Sequence, residues 1–464
     1  MSVRVLWICN FALPAAAEYL GMEVSNKEGW LTGLCDTILR QKGEQAIELA
    51  IAFPAAPGQA EAGQRASEQG ASSQEPSGAD RMKWRIPVES GGSLICYGFA
   101  EDSVHPEQYP DGLEERIRDI MEDWKPQAVH CFGTEYPHTL AASRVCQRER
   151  ILIGIQGLCE IYAQDYLADL PERVVRRVTL RDFLRKDSIL QQRDKFRTRG
   201  AREREALGNA GHVTGRTWID RQYTEECAPD ARYHFMNETL RRNFYHGKWD
   251  IEACEEHGIF LSQGDYPIKG LHYMLHAMPD ILRKYPDAKL YVAGNSIVSH
   301  KSVKDRLKLS SYGKYLLELM KKYSLQDKVI FLGKLSAEEM KAQYLKSGLF
   351  VCPSSIENSP NSLGEAMLLG VPCVAADVGG IRSIFTDGED GILYPGFGDR
   401  AYASAPDKEA AQAGQLAGAV LEMWSDREKM LRYTKNARVH AKATHDGMQN
   451  YRRLTEIYQS IAES

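Results

Sequence analysis

Short apolar runs alternate along this chain with longer stretches of helical spacing. Val3 to Cys9, Ile47 to Phe53, Leu94 to Gly98, Ala128 to Phe132 and Ile151 to Ile155 are apolar runs of strand length. Runs without polar alternation fit parallel strands buried on both faces. Leu31 to Gln41 and Leu113 to Trp124 carry apolar residues at helical spacing, and His212 to Thr217 predicts a short strand and turn. The pattern then restarts. Gly258 to Ser262, Leu290 to Ala293, Val329 to Leu332, Leu349 to Val351 and Val371 to Ala376 predict a second set of strands, with a helix over Leu271 to Tyr285. Amphipathic helices follow over Lys408 to Ser425, Asp426 to Lys442 and Met448 to Ile461. The fold class is therefore α/β, with two Rossmann-like domains at 1–236 and 237–444. Residues 54–81 are mainly Ala, Gly, Gln, Glu and Ser without an aromatic residue, which predicts a mobile loop.

Composition narrows the classes. The 464 residues are 43% hydrophobic and 26% charged, ordinary for a soluble globular chain. A net charge of −5 gives no footprint for nucleic acid. Ten cysteines without a CxxC or Cys/His cluster read as buried free thiols in a reducing, cytoplasmic setting. The apolar run at the N-terminus is too short for a signal peptide, and no run reaches spanning length. No acidic pair has metal-binding spacing, so neither metal nor cofactor is assigned. One segment departs from the average: residues 172–207 hold twelve Arg/Lys against six Asp/Glu, punctuated by apolar residues. A basic amphipathic helix suits an anionic membrane surface or a phosphate-bearing acceptor, and a solvated face with internal ion pairs equally fits the pattern. Peripheral contact at the inner face of a membrane through 172–205 is the expectation it raises.

The chemistry concentrates in Leu349 to Gly380, which reads strand, loop, helix, strand. Ser359-Pro360 suits a helix start. The first-turn amides of Asn361, Ser362 and Leu363 then form an anion site aided by the helix dipole, at the C-terminal edge of a parallel sheet. Glu357 lies in the loop before it and Glu365 inside the helix. A carboxylate beside such a site suits a sugar or ribose hydroxyl and would repel phosphate, so the layout points to a sugar nucleotide. Taken singly, Glu365 also reads as a capping-box partner of Ser362, and Glu357 as a solvated loop acid.

Glu357-x7-Glu365, with Ser-Pro-Asn-Ser inside and Glu-Ala-Met…Gly-Val-Pro-Cys-Val after it, resembles the retaining family 4 glycosyltransferases of the GT-B fold. Val-His-Cys-Phe-Gly-Thr-Glu-Tyr-Pro-His followed by Ile-Gly-Ile-Gln-Gly is similar to that family's N-terminal domain. The resemblance implies two Rossmann-like domains facing across a cleft, with 445–464 returning onto the first. It implies Glu357 at the donor sugar, Glu365 at the ribose and Lys269 on the diphosphate. Gly29 matches the glycine that lets backbone approach donor phosphates. Gly294, Asn295, Gly333 and Lys334, at two strand ends of the second half, join the donor-binding set. The sequence departs from the family twice. Gly264 stands where an arginine is usual, so Arg216 is the candidate replacement cation, with a structural pairing to Asp220 or Glu225 as its alternative. Gln156 stands where a histidine usually contacts the sugar, so His138 is the candidate near the site; a capping role is its alternative.

The activity implied is retaining transfer of a hexose from a nucleotide diphosphate sugar, UDP-sugar favoured, to a hydroxyl of a glycan or lipid-linked acceptor, as in cell-surface polysaccharide synthesis. Two other readings stand beside it. One is a different GT-B enzyme, an epimerase or phosphorylase. The other is a non-catalytic sugar-nucleotide sensor or scaffold.

Overall fold

The structure, a computed structural model, describes residues 2–23, 29–41, 47–55, 82–88, 92–295, 297–298, 307–396 and 407–464. Of the loop expected at 54–81, only Pro54 and Ala55 fall among them. Two compact units form: Met1–Glu160 with Arg197–Arg241 and His445–Ser464, and Ile161–Phe196 with Arg242–Thr444.

The first unit is built on strands β1 (Val3–Ile8), β2 (Ile47–Pro54), β3 (Lys83–Pro87), β4 (Ser93–Phe99), β5 (Ala128–Phe132), β6 (Ile151–Gly154), β7 (His212–Gly215) and β8 (Arg232–Phe235). They run in the order β3-β4-β2-β1-β5-β6-β7-β8. Every pairing is parallel except β3 with β4. All five residues of β5 are buried, as expected of a central strand covered on both faces. β3 and β8 were not legible as apolar runs. β3 alternates exposed and buried residues, and both are edge strands, covered less than the centre.

The second unit holds β9 (Glu255–Leu261), β10 (Lys289–Ala293), β11 (Val329–Gly333), β12 (Ser347–Cys352), β13 (Cys373–Asp377) and β14 (Ile392–Pro395), in the order β11-β10-β9-β12-β13-β14 and all parallel. The sequence reading placed all of 1–236 in one domain. The segment Ile161–Phe196 instead packs within the second unit, and the main division follows Arg241. Hydrogen bonds explain this. His272 Nε2 meets Ala168 O at 2.9 Å, Ser311 Oγ donates to Val174 O at 2.7 Å, and the Ser311 amide donates to Asp182 Oδ2 at 2.9 Å.

The last helix, Gly447–Ala462, belongs to the first unit and packs on β1, β5 and the helix Gly29–Arg40. Asp446 starts it by accepting the amides of Met448 and Gln449. Leu454, Ile457, Tyr458 and Ile461 face inward at helical spacing. The Tyr458 hydroxyl accepts from Trp7 Nε1 at 2.7 Å and lies 2.6 Å from His130 Nδ1. Burial pulls the His130 pKa down to about 3, so the ring is neutral and its Nδ1 accepts the hydrogen bond that the tyrosine hydroxyl donates.

Tyr458→Phe is expected to lower stability by about 1–3 kcal/mol, because the Trp7 and His130 nitrogens then stay buried without a partner. Urea unfolding of the variant and the parent measures it. An unchanged midpoint would show that this bond network does not hold the terminal helix.

Candidate functional site

In the second unit the loops after β9, β12 and β13 meet at the C-terminal edge of the sheet. β9 leads into Gln263-Gly264-Asp265-Tyr266, then one short helical turn, Pro267–Lys269. Gly270 follows at φ +72°, and a Cβ there would sit 1.9 Å from Pro353 O. Only glycine lets the β9 loop lie this close to the β12 loop. The Ser355 amide donates to Ile268 O at 2.9 Å and fixes the approach. On the other side the Gly380 amide donates to Glu357 O at 2.9 Å, and Gly379, at φ +55°, leaves no room for a Cβ beside that carbonyl.

This arrangement brings Lys269 and Glu357 together. Lys269 Nζ donates to Glu357 Oε1 at 2.6 Å, and Ser354 Oγ donates to the same oxygen at 2.7 Å. The two side chains are 19% and 7% exposed. Burial works against the lysine charge, but the facing carboxylate outweighs it and holds the ammonium pKa well above the usual lysine range. The Tyr266 ring lies 5.8 Å from Nζ, and burial raises its hydroxyl pKa.

Beyond Glu357 the helix Asn361–Leu369 begins, with Pro360 as its cap and no side chain capping it. This corrects two details. Pro360 precedes the first helical residue instead of occupying it, and Ser362 does not act as a cap for Glu365. The Leu363 amide is also engaged, donating to Pro360 O at 3.0 Å, which leaves Asn361 and Ser362 as the open pair of the expected three. Asn361 Oδ1 is buried without a hydrogen-bond partner. Glu365 is buried, 4% exposed. Tyr344 donates to Ser362 O at 2.9 Å and steadies the first turn.

At the next strand ends, Asn295 Nδ2 donates to Asp265 Oδ2 at 2.6 Å and the Gly294 amide to Gly333 O at 3.0 Å. Gly294 and Gly333 have φ of +109° and +77°. Lys334 is exposed next to them. A Cβ at Gly264 would lie 2.8 Å from both Leu271 Cδ2 and Val292 Cγ1. The space behind this position is filled by the ends of two aliphatic side chains, which would have to shift for any larger residue.

The first unit gathers a separate polar cluster at the ends of β1, β5, β6 and β7. His138 is fully buried, with Nδ1 2.9 Å from Glu101 Oε1 and Nε2 3.0 Å from Asn10 Oδ1. Both ring nitrogens are engaged, so His138 holds Asn10 and is not presented as a base. Glu135 Oε1 accepts the Gly157 amide at 3.0 Å, its Oε2 is buried without a partner, and burial raises its pKa. Burial pushes the Glu238 pKa up to about 7, with the Gln156 side chain acting in the opposite direction. Arg216 is 5% exposed. Its Nη1 donates to Ile155 O at 2.8 Å, Nη2 lies 3.0 Å from Glu238 Oε1, and its amide donates to Asp220 Oδ2 at 2.8 Å. The guanidinium expected on a diphosphate is thus engaged inside the first unit. Gly29 begins the helix Gly29–Arg40, and Arg241 lies across it, 2.3 Å from where a Cβ would stand. Arg241, Asn10, Glu101 and Ser354 were missed in the sequence. Ser354 alone had a signal, three residues before Glu357.

Residues 248–440 match the family described as glycosyl transferases group 1. This part of the chain belongs to that family. The resemblance carried by Glu357-x7-Glu365 is borne out, since the group 1 region contains the whole motif together with Lys269. The phosphatidyl-myo-inositol mannosyltransferase of Mycobacterium leprae is 30% identical over 32% of this chain and 35% of its own length. The chain spans about half the length, or less, of the curated relatives it matches. Among solved structures, sucrose-phosphate synthase of Thermosynechococcus elongatus covers 98% of both chains with a TM-score of 0.65 and 14% identity. Anabaena HepE in complex with UDP-glucose covers 99% of this chain and 100% of its own, with a TM-score of 0.62 and 14% identity. The fold is GT-B, as the group 1 motif implied. Among the described residues no cluster of three or more His, Cys, Asp or Glu is placed to hold a metal, and no helix is long and apolar enough to cross a membrane.

Gly270→Ala is expected to lower stability by more than about 1–2 kcal/mol, the left-handed backbone term alone, because the new Cβ also displaces the Pro353 carbonyl. Thermal melting checks this. A fully stable variant would mean that the β9 and β12 loops are not locked at this contact.

Proposed function

We propose that the protein transfers a hexose from a nucleotide diphosphate sugar to a hydroxyl of a glycan or lipid-linked acceptor, with retention at the anomeric carbon. The observation that carries this reading is the buried Lys269–Glu357 pair beside the uncapped start of the helix Asn361–Leu369. The diphosphate is read onto Lys269 and the amides of Asn361 and Ser362, the ribose onto Glu365, and the sugar hydroxyls onto Glu357. A departing diphosphate gains negative charge in the transition state. A lysine whose pKa stands high stays cationic throughout, and a helix N-terminus adds oriented dipoles that need no reorganisation. The leaving phosphate itself takes the acceptor proton on the same face, so the reading needs no protein base and agrees with Gln156 and the fully engaged His138. It also assigns no metal and no cofactor to the step.

The likeness to a structure in complex with UDP-glucose supports a UDP-sugar, and the mannosyltransferase relative supports an acceptor with a lipid part. Cell-surface polysaccharide synthesis at the cytoplasmic face of a membrane is the setting that fits. The competing reading is a sugar-nucleotide sensor that binds without transfer. Its support is the single side-chain cation at the pair, since Gly264 stands where the resembled family has an arginine. Turnover of the donor by purified protein separates the two readings.

Glu365→Ala is expected to weaken donor binding about tenfold to a hundredfold, the loss of one charged hydrogen bond worth about 1.5–3 kcal/mol. Glu357→Gln is expected to act mainly on turnover, because the amide keeps the shape but loses the charge facing Lys269. Calorimetric titration with UDP-glucose and other nucleotide sugars, paired with initial rates, gives both quantities. Parent-like binding and rate in both variants would remove the motif assignment.

A further inference from the structure

Among the described residues eleven large hydrophobic side chains are exposed, and four of them lie within seven positions: Val178, Leu180, Phe183 and Leu184. Phe183 and Leu184 are 72% and 70% exposed. Leu180, Phe183 and Leu184 stand three and four residues apart on the short helix Leu180–Arg185, so they share one face. Nothing in the second unit covers that face.

The helix is nonetheless held firmly. Thr179 and Asp182 form a reciprocal capping box, and Asp182, 1% exposed, also accepts the Ser311 amide at 2.9 Å. Arg181 Nη1 lies 3.1 Å from Asp182, and its Nη2 lies 2.9 Å from Asp187. Buried polar bonds therefore fix the inner face while the apolar face is turned out.

The charge left without an ion pair beside the face is positive. Residues 173–186 carry six Arg/Lys and a single carboxylate, the buried Asp182, in a chain whose net charge is −5. Arg173 and Arg177 are paired with Glu318, and Arg176 with Glu172. Arg185 and Lys186 are exposed and have no ion pair among the described residues. They follow Phe183 and Leu184 directly. Earlier in the same segment, Glu172, Val175 and Arg176 help line a groove of about 380 Å³ with Leu167, Leu170 and Leu190.

We propose that this face docks the protein on an anionic lipid bilayer. Val178, Leu180, Phe183 and Leu184 enter the boundary between headgroups and acyl chains, and Arg185 and Lys186 meet the lipid phosphates. Large exposed apolar side chains need an apolar medium, and the flanking cations specify one rimmed with negative charge. A second copy of this chain would present the same cations and repel. The remainder of the basic stretch is differently disposed: Arg199 donates to Glu135 O, Arg202 to Pro106 O and Arg204 to Glu160, all inside the first unit. The contact is thereby placed on 178–186 and not on the whole of 172–205. It rests on no step of the transfer reaction, and a protein inactive as a transferase would dock equally well.

The test is co-sedimentation of the full chain with phosphatidylcholine vesicles and with vesicles containing about one-third phosphatidylglycerol. Preferential sedimentation with the anionic vesicles is expected, falling as salt rises from about 0.05 to about 0.5 M. Arg185→Glu/Lys186→Glu should reduce partitioning by about thirtyfold or more. Phe183→Ser/Leu184→Ser should abolish retention at physiological salt, with parent-like melting temperatures in both cases. Equal recovery on neutral vesicles, absence of parent protein from the pellet, or parent-like binding by both double variants would overturn the proposal. So would self-association in sedimentation velocity that Phe183→Ser/Leu184→Ser abolishes.

Discussion

The buried ion pair of Lys269 and Glu357 is the contact on which the second unit's strand-end loops depend. Removing an ammonium and a carboxylate from water costs several kcal/mol for each ion, and their attraction offsets this only when geometry is good and the remaining polar atoms are satisfied. Here the separation is 2.6 Å and Ser354 adds a second donor to the same oxygen. Neither charge is stable there alone, so each residue constrains the loop that carries the other. The pair closes only because the backbones approach closely. Gly270 lets the β9 loop lie against the Pro353 carbonyl, and Gly379 lets the β13 loop lie against the Glu357 carbonyl. Three strand ends are thus fastened around one carboxylate. A helix start without a side-chain cap is left beside it, with Asn361 Oδ1 buried and unbonded.

The first unit solves a related problem with less charge. Its strand ends converge on Asn10, Glu135, Gln156 and Arg216, and each side chain is held by buried partners. Glu101 and Asn10 bracket His138, Glu203 accepts from Thr134 and from the Cys159 amide, and Glu238 faces Arg216. Burial raises the pKa of Glu135 and pushes those of Glu203 and Glu238 to about 7. A carboxyl raised in this way favours the folded state most when it keeps its proton. Its contribution is therefore complete below the unfolded carboxyl range and declines as pH climbs through about 7.

The central strands and the motif were legible because each depends on local sequence. β5 and β12 are mostly apolar and buried throughout. Glu357, Glu365 and Lys269 sit at fixed offsets from strand ends that apolar runs reveal. Edge strands β3 and β8 escaped because an edge needs less apolar sequence, and β14 because its run is only four residues long. The assignment of Ile161–Phe196 escaped for a different reason. Its ties run through backbone carbonyls of Ala168 and Val174 and the single carboxylate of Asp182, which no periodicity announces. The partner of Arg216 escaped for the same cause. Glycine before Arg216 and threonine after it suggest an open turn, while its partner Glu238 lies beyond the next helix and strand.

Gly264 connects sequence to chemistry. A glycine where the resembled family has an arginine leaves Lys269 as the side-chain cation held against Glu357, and the two charges cancel. On the proposed reading, a diphosphate entering this site meets a locally neutral pair. Its charge must then be met by lysine protons shared away from Glu357, by the open amides of Asn361 and Ser362, and by the dipole of the helix behind them. Such a site binds the ground state modestly and gains most when the lysine follows the charge that develops on the departing phosphate. Placing the carboxylate within hydrogen-bond reach of the cation thus turns a missing arginine from a loss of affinity into a bias towards the transition state.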